Sequence, residues 1–172
     1  MKKYQINWDK KSDKQPLKQL SERMHEFTYR DRPLIPVYAR NKPKRFQDRT
    51  ANELTQAIIQ FFRLQGGIAE RINSMGRQVD NTKTYTDPIT GARRSIGSVE
   101  WVRGTSTEGT ADISATVFGL SVKVEVKIGN DRQSDAQKQY QKRIEQAGGI
   151  YIIARSFDGF LHEFFRAIDQ LM

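Results

Sequence analysis

The sequence predicts an α/β domain with a mixed central sheet flanked by helices, and three observations carry that expectation. A capped amphipathic helix starts at Thr50, two alternating strands fill 111–128, and a second capped helix leads into a short apolar run at Ile150–Ala154.

The elements follow in chain order. Thr50-Ala51-Asn52-Glu53 fits a capping box, and Leu54, Ala57, Ile58, Phe61 and Leu64 recur at helical spacing behind it. Gly66-Gly67 ends that helix and Ile68–Asn73 reads as a strand. The stretch 74–110 is a turn-rich insertion, marked by Gly76, Asp87-Pro88, Thr90-Gly91, Gly97, Gly104 and Gly109. Short strands are expected inside it near Thr82–Thr86 and Val99–Val102.

The clearest pattern lies over 111–128. Ile113, Ala115 and Val117 alternate with Asp112, Ser114 and Thr116, and Leu120, Val122, Val124, Val126 and Ile128 alternate with Ser121, Lys123, Glu125 and Lys127. Period-two amphipathicity gives each strand one buried and one polar face. A two-residue turn at Phe118-Gly119 pairs Val117 with Leu120, Ala115 with Val122, Ile113 with Val124 and Asp112 with Glu125. Downstream, Ser134 and Gln137 make a second capping box, with Ala136, Tyr140, Ile144 and Ala147 as the expected buried stripe. Gly148-Gly149 closes that helix. The run Ile150–Ala154 reads as a parallel strand covered on both faces, and Phe160–Leu171 as a last amphipathic helix.

Composition narrows the chemistry. The chain has 172 residues and no Cys, which removes disulfide scaffolds, thiolate metal sites and cysteine nucleophiles. Its two histidines, His25 and His162, are isolated, and an all-imidazole zinc site has too few ligands. No apolar run approaches a membrane span, and the first eight residues lack the apolar core of a signal peptide, so a soluble intracellular protein is expected. The net charge is +9, of which +8 belongs to residues 1–49. That segment contains Pro33, Pro36 and Pro43 among Arg40, Lys42, Lys44 and Arg45. It reads as a basic N-terminal arm or linker, partly disordered, with a short helix around Leu17–Phe27. Such an arm suits either nucleic-acid binding or a solubilising tail. Residues 50–172 form the expected domain.

The Asp112–Glu125 pairing is the chemically informative feature. Carboxylates directly across a ladder lie about 5 Å apart and repel. A hard cation with oxygen ligands offsets that repulsion, and Lys127 stands on the same face as Glu125. Read from the residues alone, the same face serves equally as a solvated strand surface, its acids partly neutralised by Lys123 and Lys127.

These residues resemble the VRR-Nuc (virus-type replication-repair nuclease) family of the PD-(D/E)xK superfamily. The likeness is carried by Val124-Glu125-Val126-Lys127-Ile128-Gly129 and the helix opening Ser134-Asp135-Ala136-Gln137-Lys138. Gly109-Thr110-Ala111-Asp112-Ile113 is similar to the motif bearing the first carboxylate, with Ala111 where the superfamily has Pro. Glu53, Gln56, Gly66-Gly67, Arg71-Ile72-Asn73 and Ala147-Gly148-Gly149 also fit, so the resemblance spans about residues 50–158 and leaves 1–49 unmatched.

The resemblance implies a restriction-endonuclease-like αβββαβ core and a Mg²⁺- or Mn²⁺-dependent nuclease hydrolysing DNA phosphodiester bonds in repair, replication or phage DNA processing. It implies Asp112 and Glu125 as metal ligands, with the main-chain carbonyl of Val126 and, from the first helix, Glu53. Lys127 would position water and stabilise phosphate charge, and Gln137 would lie beside the site. Glu53 and Gln137 equally serve as the closing members of their capping boxes. Tyr140 is expected in the core, and Arg71, Arg93 and Arg94 are free to meet phosphates without a fixed role. Homodimers are common among related folds, and RNA as substrate stays open. The alternative from another class is a nucleic-acid-binding module on a nuclease-like fold, without turnover.

Overall fold

Alternation over 113–126 determines the centre of the fold, because it leaves one apolar face that must be covered. In the computed structural model, which describes residues 8–9, 15–72, 76–102 and 107–171, that face lies under two phenylalanine-rich helices. The described elements are α1 (Pro16–Arg30), α2 (Ala51–Leu64), β1 (Ile68–Arg71), β2 (Arg77–Asp80), β3 (Lys83–Thr86), β4 (Arg93–Ile96), β5 (Val99–Val102), β6 (Ile113–Val117), β7 (Leu120–Val126), α3 (Asp135–Gln146), β8 (Ile150–Ala154) and α4 (Phe157–Gln170). A single 3₁₀ turn, Val37–Ala39, follows α1. The protein is mixed α/β, and among the described residues no helix is long and apolar enough to cross a membrane.

The central sheet has the order β1-β6-β7-β8. Its first three strands are antiparallel and β8 runs parallel to β7. The β6–β7 register is the expected one, with Ile113 opposite Val124, Ala115 opposite Val122 and Val117 opposite Leu120. Phe118 and Gly119 both take positive φ, 55° and 79°, as the tight primed hairpin turn requires. Phe118 is an unfavourable residue there, and its half-buried ring packs against the core.

On the apolar side, Ile113, Ala115, Val117, Val122, Val124, Ile150, Ile152 and Ala154 meet α2 and α4. The hub is Phe61 of α2, wholly buried and surrounded edge-on by Phe62, Phe157, Phe160 and Phe164 at centroid separations of 5.4–6.3 Å. Edge-to-face pairs add about 0.5–1.5 kcal/mol each beyond the area they bury. Both capping boxes form: Thr50 with Glu53 starts α2, and Ser134 with Gln137 starts α3.

Several elements differ from expectation. The strand after Gly67 ends at Arg71, and Asn73 and Gly104 lie outside the described residues, as do residues 1–7. Helix α4 begins at Phe157, three residues early, because Ser156 caps it through Gly159 N–H. No residue of α3 is fully buried: Ala136, Tyr140 and Ile144 are half-covered and Ala147 is exposed, since α3 packs chiefly on β8.

The segment expected as a basic arm is tied to the domain. The helix anticipated around Leu17–Phe27 is present as α1, and its Leu20 is 0% exposed within the main core. Trp8 lies edge-on to Phe61 at 5.3 Å. The Pro-punctuated stretch folds back along α1, where His25 Nε2 meets Asn41 O at 2.7 Å and Asn41 N–H donates to the Tyr29 hydroxyl at 3.0 Å. The Asp48 carboxylate accepts from Phe157 N–H at the start of α4. Removing residues 1–49 therefore strips a wall from the core. Leu20→Ala should cost about 2–5 kcal/mol in urea unfolding, and deletion of residues 1–49 should lower the thermal midpoint sharply. Unchanged melts would show that α1 is a detachable tail.

Candidate active site at the end of strands β6 and β7

The polar face of β7 carries Glu125, and Gln137 in the first turn of α3 reaches it. Glu125 is 2% exposed and Lys127, just past the strand end, is 6% exposed. Asp112 immediately precedes β6, one position beyond the Ile113–Val124 pair, which sets it opposite Glu125. Its carboxylate Oδ2 accepts from Val126 N–H at 2.9 Å, and its carbonyl accepts from Ile72 N–H at 2.8 Å. The Asp112 backbone thus ties β1 to β6, while its side chain reaches across to the end of β7.

Glu125 Oε1 is held twice. Lys127 Nζ lies 3.1 Å away, and Gln137 Nε2 donates to the same oxygen at 2.5 Å. Gln137 Oε1 simultaneously accepts from Ser134 N–H at 2.9 Å. Both readings of Gln137 hold at once: a single amide closes the α3 capping box and grips Glu125. Glu125 Oε2 is buried and has no hydrogen-bond partner among the described residues. Leaving a buried carboxylate oxygen unsatisfied is costly and marks a place where another group belongs.

Two residues without a role in the sequence reading complete the geometry. Asp131 Oδ2 lies 3.2 Å from Lys127 Nζ, so the ammonium bridges two acids. Arg155 donates from Nη1 to Gly129 O and from Nη2 to Asp131 O, both at 3.1 Å, and pins the loop that presents Asp131. Spacing gave no hint of Arg155, which lies more than twenty residues from its partners. Asp131, four residues after Lys127, was a detectable charge partner.

The electrostatics follow from burial. Loss of water, then repulsion from Asp112, raises the Glu125 carboxyl above its ordinary range despite Lys127. Burial alone would lower the Lys127 ammonium, but its hydrogen bonds to Glu125 and Asp131 outweigh that and hold it above its usual value. Beside them, burial and then the Glu125 charge push up the Tyr151 phenol, with the Gln133 side chain opposing that shift.

The expected site residues are therefore not all gathered equally. Asp112, Glu125, Val126, Lys127 and Gln137 share one end of the sheet. The Glu53 carboxylate receives Thr50 N–H at 3.0 Å and serves the α2 cap. Its helix end is nevertheless near the site, since Asn52 Oδ1 accepts from Arg71, and Ile72 is bonded to Asp112. Lys123, expected to neutralise the acids, donates to Ser114 Oγ instead. Among the described residues no three His, Cys, Asp or Glu side chains gather to hold a metal ion by themselves. Asp112 and the buried, unpartnered Oε2 of Glu125 offer a two-carboxylate oxygen set, which suits a hard divalent cation completed by a peptide oxygen and water.

Neither a scan of the chain against protein-family models nor a search of the curated proteins returns a match.

Two tests follow from this geometry. Gly109 has φ +76°, and a Cβ there would sit 2.4 Å from the carbonyl carbon and oxygen of Ala136 in the first turn of α3. Gly109→Ala should destabilise the fold by at least about 1 kcal/mol and push Gln137 off Glu125; an unaltered melting curve would refute the close approach. The second concerns charge. A carboxyl raised in the folded state contributes stability at low pH that is lost as pH rises through its folded pKa. Glu125→Gln should therefore raise the thermal midpoint in EDTA at pH 7–8, with the gain fading as pH falls into the ordinary carboxylate range. A destabilised variant at pH 8 would show that the Lys127 pair outweighs the burial penalty.

Proposed function

We propose that the protein is a divalent-metal-dependent nuclease that hydrolyses DNA phosphodiester bonds. The observation carrying this reading is the buried Glu125 carboxylate, with one oxygen fixed by Lys127 and Gln137 and the other unpartnered, opposite Asp112. The order α2-β1-β6-β7-α3-β8 supports reading the central sheet as the αβββαβ core of the restriction-endonuclease-like fold. The resemblance of Asp112, Glu125-Val126-Lys127 and the Gln137 helix to the VRR-Nuc pattern supports the same assignment.

In this reading Asp112, Glu125 and the Val126 carbonyl would hold Mg²⁺ or Mn²⁺. Such an ion lowers the pKa of bound water and polarises phosphoryl oxygens. Gln137 and Lys127 engage Oε1 of Glu125 and leave the buried Oε2 for the ion. Lys127, a compact point charge suited to phosphate, orients the attacking water and stabilises charge developing on the phosphoryl group. Asp131 keeps Lys127 beside the site when Glu125 is otherwise engaged.

The test is a panel of plasmid, single-stranded, flap and four-way-junction DNAs with Mg²⁺ or Mn²⁺. Cleavage should require the metal and fall at least about 10²-fold in Lys127→Ala and in Glu125→Ala, with circular dichroism verifying both folds. Cleavage that persists unchanged in both variants would refute the site. Salt-sensitive DNA binding with no cleavage under any metal would instead support the non-catalytic binding module.

A further inference from the structure

We propose that the insertion between β1 and β6 is a β-ribbon that enters the major groove of duplex DNA and holds it beside the candidate active site; the substrate is thereby double-stranded over the bound stretch. This deepens the nuclease reading and rests on it for the link to cleavage, though the binding itself does not.

The ribbon is longer than its separate strands imply. Strand β2 pairs with β5, Arg77 opposite Val102 and Asp80 opposite Val99; strand β3 pairs with β4, Lys83 opposite Ile96 and Thr86 opposite Arg93. Both ladders share one register, and Asn81 N–H donates to Ser98 O between them. They form one antiparallel hairpin over 77–102, whose ten-residue arms are roughly 30 Å long. The tip is built by Asp87, whose carboxylate accepts from Ile89 and Thr90 N–H while its own N–H donates to Ala92 O.

Nothing described packs extensively on either face of this hairpin. Trp101 is 64% exposed, Ile96 62% and Tyr85 55%. Isolated two-stranded ribbons are marginal in water, so one that exposes aromatic and aliphatic side chains is built to be covered. Charge indicates what covers it. In the outer half, Lys83, Arg93 and Arg94 are the only charged residues of β3 and β4, and none forms an ion pair among the described residues. Register puts Lys83, Tyr85, Arg94 and Ile96 on one face, and Thr84, Thr86, Arg93 and Ser95 on the other. Three acids lie elsewhere on the hairpin: Asp80 accepts from Thr82, Asp87 is engaged in the turn, and Glu100 of the inner half lies on the Lys83 face four residues beyond Ile96, so the excess of cations is confined to the outer half. Cations flanked by hydroxyls match a phosphate-lined partner.

Shape selects among nucleic acids. A two-stranded ribbon fits the major groove of B-form DNA, about 12 Å wide. The A-form RNA major groove is too narrow for it, and single strands are gripped by grooves rather than by a convex ribbon. Placement links the ribbon to the site. Ile72 is bonded to Asp112, and the four residues from Ile72 to Gly76 span at most about 14 Å.

The experiment measures fluorescence anisotropy of a labelled duplex of about 30 base pairs in EDTA, using the full chain. Lys83→Ala/Arg93→Ala/Arg94→Ala should weaken duplex DNA binding by about 10-fold or more and lower the log–log salt slope by about 2 to 3. Binding to an RNA duplex and to single-stranded DNA should change far less. Thermal melts should be unaltered, since all three residues are exposed. Unchanged duplex affinity and slope would overturn the proposal, as would equal losses on all three nucleic acids. A shift in sedimentation coefficient caused by the triple variant would also overturn it, by assigning the ribbon to contacts between copies. Glu125→Ala separates the two readings: it should abolish cleavage and leave ribbon-dependent binding intact. Ribbon-dependent binding by a wild type that never cleaves refutes the nuclease reading alone. Cleavage by wild type with unaltered binding in the triple variant refutes the ribbon alone.

Discussion

Everything in this structure depends on the register of the β6–β7 hairpin. Side chains alternate along a strand, so a slip of one residue would turn Val122 and Val124 toward α3 and drive Lys123 and Glu125 under the phenylalanines of α2 and α4. The Phe118-Gly119 turn fixes that register with two positive-φ residues, one of which is a bulky aromatic. A non-glycine residue in this region costs of order 1–3 kcal/mol. The packing of the Phe118 ring on the core offsets it. The same register brings Asp112 opposite Glu125, so the apolar face and the polar site are specified by one choice.

The polar site works against stability. Glu125 is nearly sealed, repelled by Asp112, and left with one oxygen unpartnered. A structural ion pair would be expected to satisfy both carboxylate oxygens. Here Lys127, Gln137 and Asp131 converge on one side of the group and leave the other open. That asymmetry separates a solvated strand face from a preorganised one. The aromatic cluster around Phe61, closed by Leu20 and Trp8, supplies the burial against which such a site can be maintained.

Legibility in the sequence followed the range of the interactions involved. The hairpin register, both capping boxes and the Asp112–Glu125 opposition were readable because each depends on residues close in the chain or on strict alternation. The double use of Gln137 was half-readable: the cap is local, whereas its grip on Glu125 depends on how α3 lies across the sheet. Arg155 and Asp48 act across long separations and left no local trace. Strands β2 and β4 escaped notice because an exposed ribbon lacks the alternation that a buried face imposes. The docking of residues 16–30 on the core was harder to read than their helix, for a related reason. The basic, Pro-punctuated stretch that follows them outweighs, in a linear reading, a single buried leucine.

The position of the positive charge changes its meaning. As a free arm, residues 1–49 would bring a mobile counter-charge to any nucleic acid nearby. With 31–49 folded along α1 and joined to α4 through Asp48, the described part of this stretch presents fixed charge on the body of the domain. Lys44 and Arg45 line a small cleft of about 230 Å³ with Glu53 and Gln56, at the N-terminal end of α2. That helix end contacts Arg71 through Asn52, and β1 contacts Asp112 one residue further on. Fixed cations therefore lie on the α2 side of the candidate site, while Lys83, Arg93 and Arg94 are carried by the ribbon that leaves the same end of β1. A duplex gripped by both would meet charge at separated points along its axis, with the near-neutral sheet edge between them. On the proposed nuclease reading, the cations would provide grip and orientation, and selectivity at the scissile phosphate would fall to Asp112, Glu125 and Lys127.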